Sequence, residues 1–190
     1  MRSFFILTFD SRPNDREVAC KYQMAQGDQE FDSATFRRCQ PFVGPFPDYV
    51  KLWVRPGSRT DLMGEPLSWP LLSDRLFELF KDFARDDIQE IAPPLFYIDS
   101  KQPVAGYTLM NVLRSLKTID MEKSVTSEMN ILGTQFTNVI KPVFRNEAIP
   151  ASVHVFRPVE SMSHVVISEE LAQAMTGKVV GVALIRTQTI

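Results

Sequence analysis

The chain has little of what most enzymes and metal proteins use for their chemistry: its 190 residues include only two cysteines and two histidines. A structural zinc site needs about four convergent ligands, usually Cys or His in closely spaced pairs. His154 and His164 stand ten positions apart with no such pair beside them. Cys20 and Cys39, in a chain without a recognisable export signal, are expected to be reduced thiols. The sequence therefore predicts no metal ion and no cofactor.

Clustered positive charge and long apolar runs are also missing. Lys and Arg number 21 against 23 Asp and Glu, which gives a formal net charge of −2, and no basic block occurs. Binding to nucleic acid or to an anionic membrane needs clustered positive charge, so neither partner is expected. The apolar run Phe4–Phe9 is shorter than the roughly 20 residues of a membrane-spanning helix, and shorter than the core of a signal peptide. We expect a cytoplasmic protein.

The sequence contains no glycine-rich phosphate loop and no regular alternation of strands and helices, which disfavours a doubly wound nucleotide-binding fold. Instead, segments of strand-like composition follow one another along the chain. They are Phe4–Phe9, Asp48–Val54, LFYID, GYTLMNVLRSLKTID, FTNVIKPVF, SVHVF, HVVIS and KVVGVALIR.

Two segments have the apolar spacing and the caps of helices. In SDRLFELFKDFAR, Ser73 can cap a helix whose Leu76 and Phe80 share one face. In SEELAQAM, Ser168 can cap a shorter helix that Gly177 stops. Together with the strands, these helices predict an α+β fold, with a mainly antiparallel sheet and a few helices packed on it.

The composition changes near position 66. Residues 1–66 are β-rich and carry the irregular, aromatic-bearing loop CQPFVGPFPDY, whose three prolines and one glycine exclude a helix. Residues 67–190 carry both predicted helices and form the second predicted part. The first part is either a subdomain of its own or one domain together with residues 67–190.

The stretch HVFRPVESMSH gathers His154, His164 and Glu160. A small hydrolase would use one histidine with that carboxylate, provided that a third group orients the base. The alternation in SVHVF instead places His154 on one strand face with Ser152 and Phe156, and His164 opens HVVIS at the edge of a loop. The spacing favours structural histidines and leaves a hydrolase as the alternative.

Acidic side chains crowd the predicted end of the first helix, in DFARDDIQE. They are Asp82, Asp86, Asp87 and Glu90. Acids at a helix C-terminus oppose the helix dipole, so their presence there needs another explanation. The group is a candidate surface for a basic partner, and the alternative is a solvated helix end.

Five short segments, in order, resemble one known family. They are WPLLSDRLFELF, YTLMNVLRSLKTIDMEKS, VFRPVE, VVISEELAQAM and TGKVVGV, over roughly residues 67–182. The family is that of the bacterial polymorphic-toxin immunity proteins numbered eleven. The resemblance implies an α+β protein without catalytic residues, encoded beside a toxin, that binds this toxin stoichiometrically and protects the producing cell.

Polar and aromatic residues inside these segments are expected to hold the scaffold, because contact residues must vary with each toxin. They are Trp69, Ser73, Asn111, Asp120, Ser124, Arg157 and Ser168. Asp120 can accept backbone hydrogen bonds in a turn through Ser124. Arg157 can pair with Glu160 or with an acid on a neighbouring strand.

Toxin contacts are expected in the less well matched first part, because aromatic anchors dominate many interfaces. The predicted anchors are Phe42, Phe46, Tyr49 and Trp53. The alternative for these side chains is packing beneath the proline-rich loop. A structural protein that oligomerises through its aromatic surface, for example as a homodimer, is a third hypothesis.

Overall fold

The computed structural model describes residues 2–12, 16–23, 31, 32, 34–131 and 133–190. Strands supply most of the regular structure there. They are β1 (Phe4–Phe9), β2 (Val18–Gln23), β3 (Lys51–Arg55), β4 (Leu62–Met63), β5 (Leu71–Ser73), β6 (Ile88–Ile91), β7 (Leu95–Tyr97), β8 (Tyr107–Val112), β9 (Ser115–Leu116), β10 (Val125–Ile131), β11 (Thr134–Lys141), β12 (Val143–Phe144), β13 (Val155–Pro158), β14 (Val165–Ser168), β15 (Val182–Arg186) and β16 (Gln188–Thr189). The helices are α1 (Asp74–Ala84) and α2 (Glu169–Met175), with 3₁₀ turns at Thr35–Arg37, Arg85–Asp87, Asn146–Ala148 and Val159–Ser161.

Strand β1 lies inside a five-stranded sheet in the order β15-β1-β14-β13-β9. Its neighbours β14 and β15 both run antiparallel to it and come from the other end of the sequence. Both faces of β1 are covered, since Leu7 joins one hydrophobic core and Phe4 joins another. Burial on both faces explains why this segment is apolar along its length and does not alternate.

Two further sheets combine strands from before and after position 66. Their orders are β4-β5-β8-β6 and β2-β3-β7. Residues on both sides of position 66 therefore share three sheets. The strands β10 and β11 form a two-stranded hairpin, and β12 pairs with β16.

Both helices are capped as predicted. The Ser73 hydroxyl accepts the N–H of Leu76 at 3.2 Å in α1, and the Ser168 hydroxyl accepts the N–H of Leu171 at 3.3 Å in α2. Gly177, at φ +71°, follows α2 in the left-handed conformation that favours glycine. Most strand pairs are antiparallel, with both helices packed on the sheet, so the predicted α+β class is confirmed.

The described residues form three hydrophobic cores. The first lies between the helices and one face of the five-stranded sheet, and the third lies on the opposite face of that sheet. The second is aromatic and includes Phe31, Phe36 and Trp69. The 14 phenylalanines of the sequence mostly fill these cores, and only Phe136 among them is exposed, at 49%.

Several strand predictions were wrong. FTNVIKPVF is two strands, β11 and β12, in two sheets, and KVVGVALIR becomes a strand only at Val182. GYTLMNVLRSLKTID is two strands, β8 and β9, in two sheets. After β8 the Leu113 N–H still donates to the Asp87 carbonyl, at 2.7 Å, but the next carbonyl, that of Arg114, accepts from the Arg157 N–H at 2.9 Å. The chain therefore leaves the sheet of β8 at this point and pairs with β13. SVHVF becomes a strand only at Val155, because Ser152 lies in a turn and His154 precedes the strand.

Asp61 joins three segments of the fold. Its side chain is only 6% exposed, and it accepts hydrogen bonds from the Ser73 hydroxyl at 2.6 Å, the Arg75 guanidinium at 2.5 Å and the Val180 N–H at 2.7 Å. These bonds connect β4 to the start of α1 and to the segment before β15. One carboxylate thus links the helix to the C-terminal part of the five-stranded sheet.

Replacing Asp61 with alanine is expected to lower the free energy of unfolding by about 2–4 kcal/mol, because the Ser73 hydroxyl and the Val180 N–H lose their acceptor. Glu78→Ala is the matched control: Glu78 pairs with Lys81 at 2.7 Å, but its side chain is 65% exposed. The control should cost less than about 0.5 kcal/mol. Urea unfolding measures both values, and equal losses would contradict the role of Asp61.

The contribution of Asp61 to the free energy of unfolding is expected to depend on pH. Burial disfavours the charged carboxylate, but hydrogen bonds from Ser73, Arg75 and Val180 outweigh burial and hold the pKa of Asp61 below 3.8. Because the folded pKa lies below the unfolded one, the stabilisation is present above about pH 4 and is lost as the pH falls through the folded pKa. The stability difference between wild type and Asp61→Ala should therefore shrink in acid, and a difference that grows there would contradict this.

Candidate protein-binding surface

The predicted anchors Phe42 and Phe46 pack inward. Their ring centroids lie 5.6 Å apart, and the Phe46 ring lies 6.0 Å from the ring of buried Trp69. The Gln89 amide fixes the loop, since it accepts the Phe42 N–H at 2.8 Å and donates to the Phe42 carbonyl at 2.7 Å. These contacts favour the alternative of packing beneath the proline-rich loop.

Tyr49 and Trp53 are half-buried in different settings. Tyr49 packs against the second core. Trp53 lies on the outward face of β3, because Leu52 and Val54 are fully buried on the inward face. Its ring lies 5.9 Å from the ring of Phe96, and the Lys101 ammonium lies 4.6 Å from its centroid. Trp53 therefore belongs to an aromatic and basic surface on the outside of this sheet.

The acidic group around the end of α1 divides into two kinds. Asp82, Asp86 and Glu90 are exposed. Asp87 is 8% exposed, and its Oδ1 accepts from both Nε and Nη2 of Arg114, at 2.8 and 2.7 Å. Its charge is neutralised inside the protein, which leaves the other three acids to face solvent.

Trp69 and Asn111 lie inside the fold, at 1% and 0% exposure. The Asn111 amide donates to the Gln40 carbonyl at 2.8 Å and to the Gln89 side chain at 3.0 Å. It therefore supports the loop that carries Phe42. Ser73 and Ser168 are the two helix caps described above.

Asp120 and Ser124 form the predicted turn. The Asp120 carboxylate accepts the N–H groups of Glu122 and Lys123 at 3.1 Å, and the Ser124 hydroxyl donates to the Asp120 carbonyl at 2.6 Å. The same hydroxyl accepts the Val143 N–H at 2.9 Å. This turn therefore sets the start of β10 against β12.

Arg157 is completely buried, and its partners differ from those predicted. Its guanidinium donates to the carbonyls of Met162 at 2.7 Å and Ser68 at 3.0 Å, whereas Glu160 accepts from the Thr118 N–H at 3.3 Å. Burial lowers the pKa of Arg157 to about 10. Carbonyl oxygens thus replace the predicted carboxylate partner.

The two histidines have separate local partners. His154 Nδ1 lies 2.8 Å from the hydroxyl of Ser168, a fully buried side chain that also caps α2. His164 Nδ1 lies 3.0 Å from the Ser161 hydroxyl, and burial together with the charge of Arg157 lowers the pKa of His164. Within the described residues neither histidine hydrogen-bonds Glu160, which was its partner in the hydrolase hypothesis.

The described residues contain no group of three or more His, Cys, Asp and Glu side chains placed to hold a metal ion. None of their helices has both the length and the apolarity to cross a bilayer. Cys39 is a buried free thiol whose pKa is raised by burial, and the side chain of Cys20 lies outside the described residues.

The β10–β11 hairpin carries an exposed apolar surface that the sequence patterns did not single out. Val125, Met129, Phe136 and Ile140 are between 42% and 52% exposed. Met129 and Phe136 stand directly opposite each other across the two strands. A signal was present in the alternating MNI and TQF around the glycine turn, but a segment as polar as VTSEMNI is not typical of a buried strand.

A groove of about 560 Å³ lies where the hairpin meets the five-stranded sheet. Val125 and Ile140 line it from the hairpin side, and Ile6 and Ile185 line it from the sheet. Three basic side chains, Lys123, Lys141 and Arg186, also line it, and its described lining includes no Asp or Glu. We call this region the hairpin groove.

Comparison with known proteins gives one family. The model of the "Immunity protein family (Imm11)" matches residues 3–188. A search of curated proteins finds no match. The family match therefore extends well beyond the segments over residues 67–182 and takes in the β-rich first part.

Replacing Phe46 with alanine is expected to lower the free energy of unfolding by about 2–3 kcal/mol, because the change opens a cavity beside Trp69. Val43→Ala in the same loop is the control, since Val43 is 90% exposed; it should change stability by less than about 0.5 kcal/mol. Thermal and urea unfolding measure both. An unchanged stability for Phe46→Ala would contradict the packing role and return Phe46 to the candidate contacts.

Proposed function

We propose that this chain, which belongs to the Imm11 immunity protein family, binds and neutralises one cognate toxin made by the same bacterial cell. The observation that carries the proposal is the family match over residues 3–188. The toxin is a polymorphic toxin encoded beside this protein, and the complex forms in the cytoplasm. Protection follows from stoichiometric binding that covers the toxin's active site or blocks a movement that the toxin needs.

The exposed apolar hairpin supports a binding function. Soluble monomers rarely leave contiguous apolar side chains exposed without a use for them. Met129 and Phe136 face each other on such a surface. An interface of standard size, about 1,600 Å² in total, with a few anchors of this kind can give nanomolar affinity or better.

Neutralisation in this proposal requires no catalysis by the immunity protein. His154 and His164 are engaged with Ser168 and Ser161, and the Ser168 hydroxyl is buried beneath α2. A serine nucleophile must reach a substrate while a base takes its proton. The geometry around Ser168 supports a helix cap more than a nucleophile, which favours binding over hydrolysis.

The sequence-predicted contacts that reach solvent fall into two groups. Trp53 offers an aromatic ring beside Lys101, and Asp82, Asp86 and Glu90 offer negative charge near the end of α1. We propose these side chains as secondary contacts, because Phe42, Phe46 and Asp87 already have partners inside the fold.

Co-expression with the neighbouring gene tests the proposal. Expression of the neighbour alone should stop growth, co-expression with this chain should restore it, and the two proteins should co-purify at a ratio of about one to one with nanomolar affinity. Growth should be restored because binding by this chain removes free toxin.

His154→Gln separates binding from catalysis in the same assay. The variant should protect as well as wild type if it remains folded by circular dichroism, because the glutamine amide can still hydrogen-bond Ser168. A folded His154→Gln protein that no longer protects would favour the hydrolase alternative. A neighbour that does not affect growth, or that never co-purifies, would contradict the proposed function.

A further inference from the structure

We infer that the toxin binds to the hairpin groove and to the exposed side chains of Met129 and Phe136 on the same hairpin, and that the toxin segment bound there is extended, apolar and acidic. This inference rests on the proposed function and adds the site and the chemistry of the partner. Three independent features of the described residues support it: the position of Phe136, the uncovered face of the sheet, and the charge of the groove.

The first feature is the difference in side-chain burial between the two faces of the hairpin. Val139, on one face, is 2% exposed and belongs to the third core. Phe136 and Met129, on the other face, are 49% and 42% exposed and belong to none of the three cores. The packing of the fold thus explains the burial of Val139 and leaves the opposite face without a packing partner among the described residues.

The second feature is the sheet face that forms the floor of the groove. On β1, Phe4 points to this face and contacts Phe144 and Phe156, with ring centroids 6.4 and 5.9 Å away. Two residues further along, Ile6 stands opposite Ile185 of β15, and Ile185 is 54% exposed. The third core therefore covers one end of this face. Ile6 is still buried, at 7% exposure, and the face becomes exposed in the groove at Ile185.

The edge of the same sheet favours an extended segment. Among the described residues β15 is the outermost strand and pairs only with β1. The Thr187 N–H donates to the Phe4 carbonyl at 3.0 Å. In an antiparallel pair, the backbone N–H and C=O groups of successive residues point alternately toward the partner strand and away from it. The backbone groups of Leu184 and Arg186 therefore point away from β1. A segment of the partner can hydrogen-bond to such an edge as an added strand.

The third feature is charge. The protein has a formal net charge of −2, yet the groove collects three basic side chains and no acid from its described lining. Lys123 lies 3.8 Å from Asp120, which offsets part of its charge. Lys141 and Arg186 form no ion pair with any described residue. Acidic side chains on the toxin segment complement these two cations, and complementary charge accelerates association.

Substitutions on the hairpin test the inference with the co-expressed neighbour's product as the ligand. Phe136→Ser should weaken binding at least about 30-fold, mainly through faster dissociation, because it removes the exposed aromatic side chain of the hairpin. Val43→Ser is the control, since Val43 is 90% exposed and does not line the groove. It should bind within about twofold of wild type. Unchanged thermal stability shows that each variant is folded.

Charge reversal tests the electrostatic part. Lys141→Glu combined with Arg186→Glu should slow association at least about tenfold at low salt, and the difference should shrink as salt rises. Lys117→Glu combined with Lys178→Glu is the matched control, because both lysines are exposed and neither lines the groove. A loss of binding in the control pair with none in the groove pair would overturn the inference.

Hydrogen exchange provides a test without substitutions. Backbone amides within 123–129, 136–141 and 182–187 should exchange more slowly in the complex than in the free protein. If wild type binds and protects but these amides are unchanged and the groove variants bind normally, the inference fails while the proposed function stands. If wild type neither binds nor protects, the proposed function fails first.

Sedimentation of the free protein distinguishes a second copy from a toxin as the occupant. We expect a monomer. A wild-type dimer that Phe136→Ser converts to a monomer would show that the hairpin pairs with another copy of this chain, and it would overturn the inference.

Discussion

The insertion of β1 between β14 and β15 is the constraint on which the rest of this structure depends. The first strand of the sequence pairs with strands that come near its end, so the five-stranded sheet forms only after most of the chain has been brought together. Closing a loop of that length costs conformational entropy, which burial on both faces of β1 must offset. Asp61 reinforces the closure, because it ties the start of α1 to the segment that leads into β15.

The two faces of the five-stranded sheet differ in how much of their surface is buried. One face is covered by the first core, to which α1 and α2 both contribute. The other face is covered over Phe4 by the third core and becomes exposed in the groove at Ile185. Asn111 and Arg157, from the family-like segments, are fully buried in this framework, whereas Met129 and Phe136 of the proposed recognition surface are exposed and belong to none of the three cores. In this member of the Imm11 family the framework and the proposed recognition surface share only a few side chains, such as Leu7 and Val143, which line the groove and also belong to cores.

Local chemistry was enough to predict β1, both helices and their serine caps, because these depend on neighbours in sequence. The break after Val112 was not predictable in that way, since it depends on a hydrogen bond to Asp87 and on a change of sheet at Arg114. Contacts of Phe42 and Phe46 to Phe31, Phe36 and Trp69 support the alternative that these two side chains pack inward. Phe136 is exposed because the opposite face of the hairpin packs against the third core. The periodicity of a single sequence does not show which face of a hairpin is buried.

The separation of the hairpin's exposed face from the cores has an evolutionary consequence. The side chains of Met129 and Phe136 contribute to none of the three hydrophobic cores. Mutation at these positions is therefore expected to change the small free energy of unfolding of the protein only slightly. If the hairpin is the contact surface that we propose, substitutions at these positions can change the specificity for the partner without compensating substitutions elsewhere. Divergence would then collect on this face of the hairpin while the scaffold beneath it stays the same.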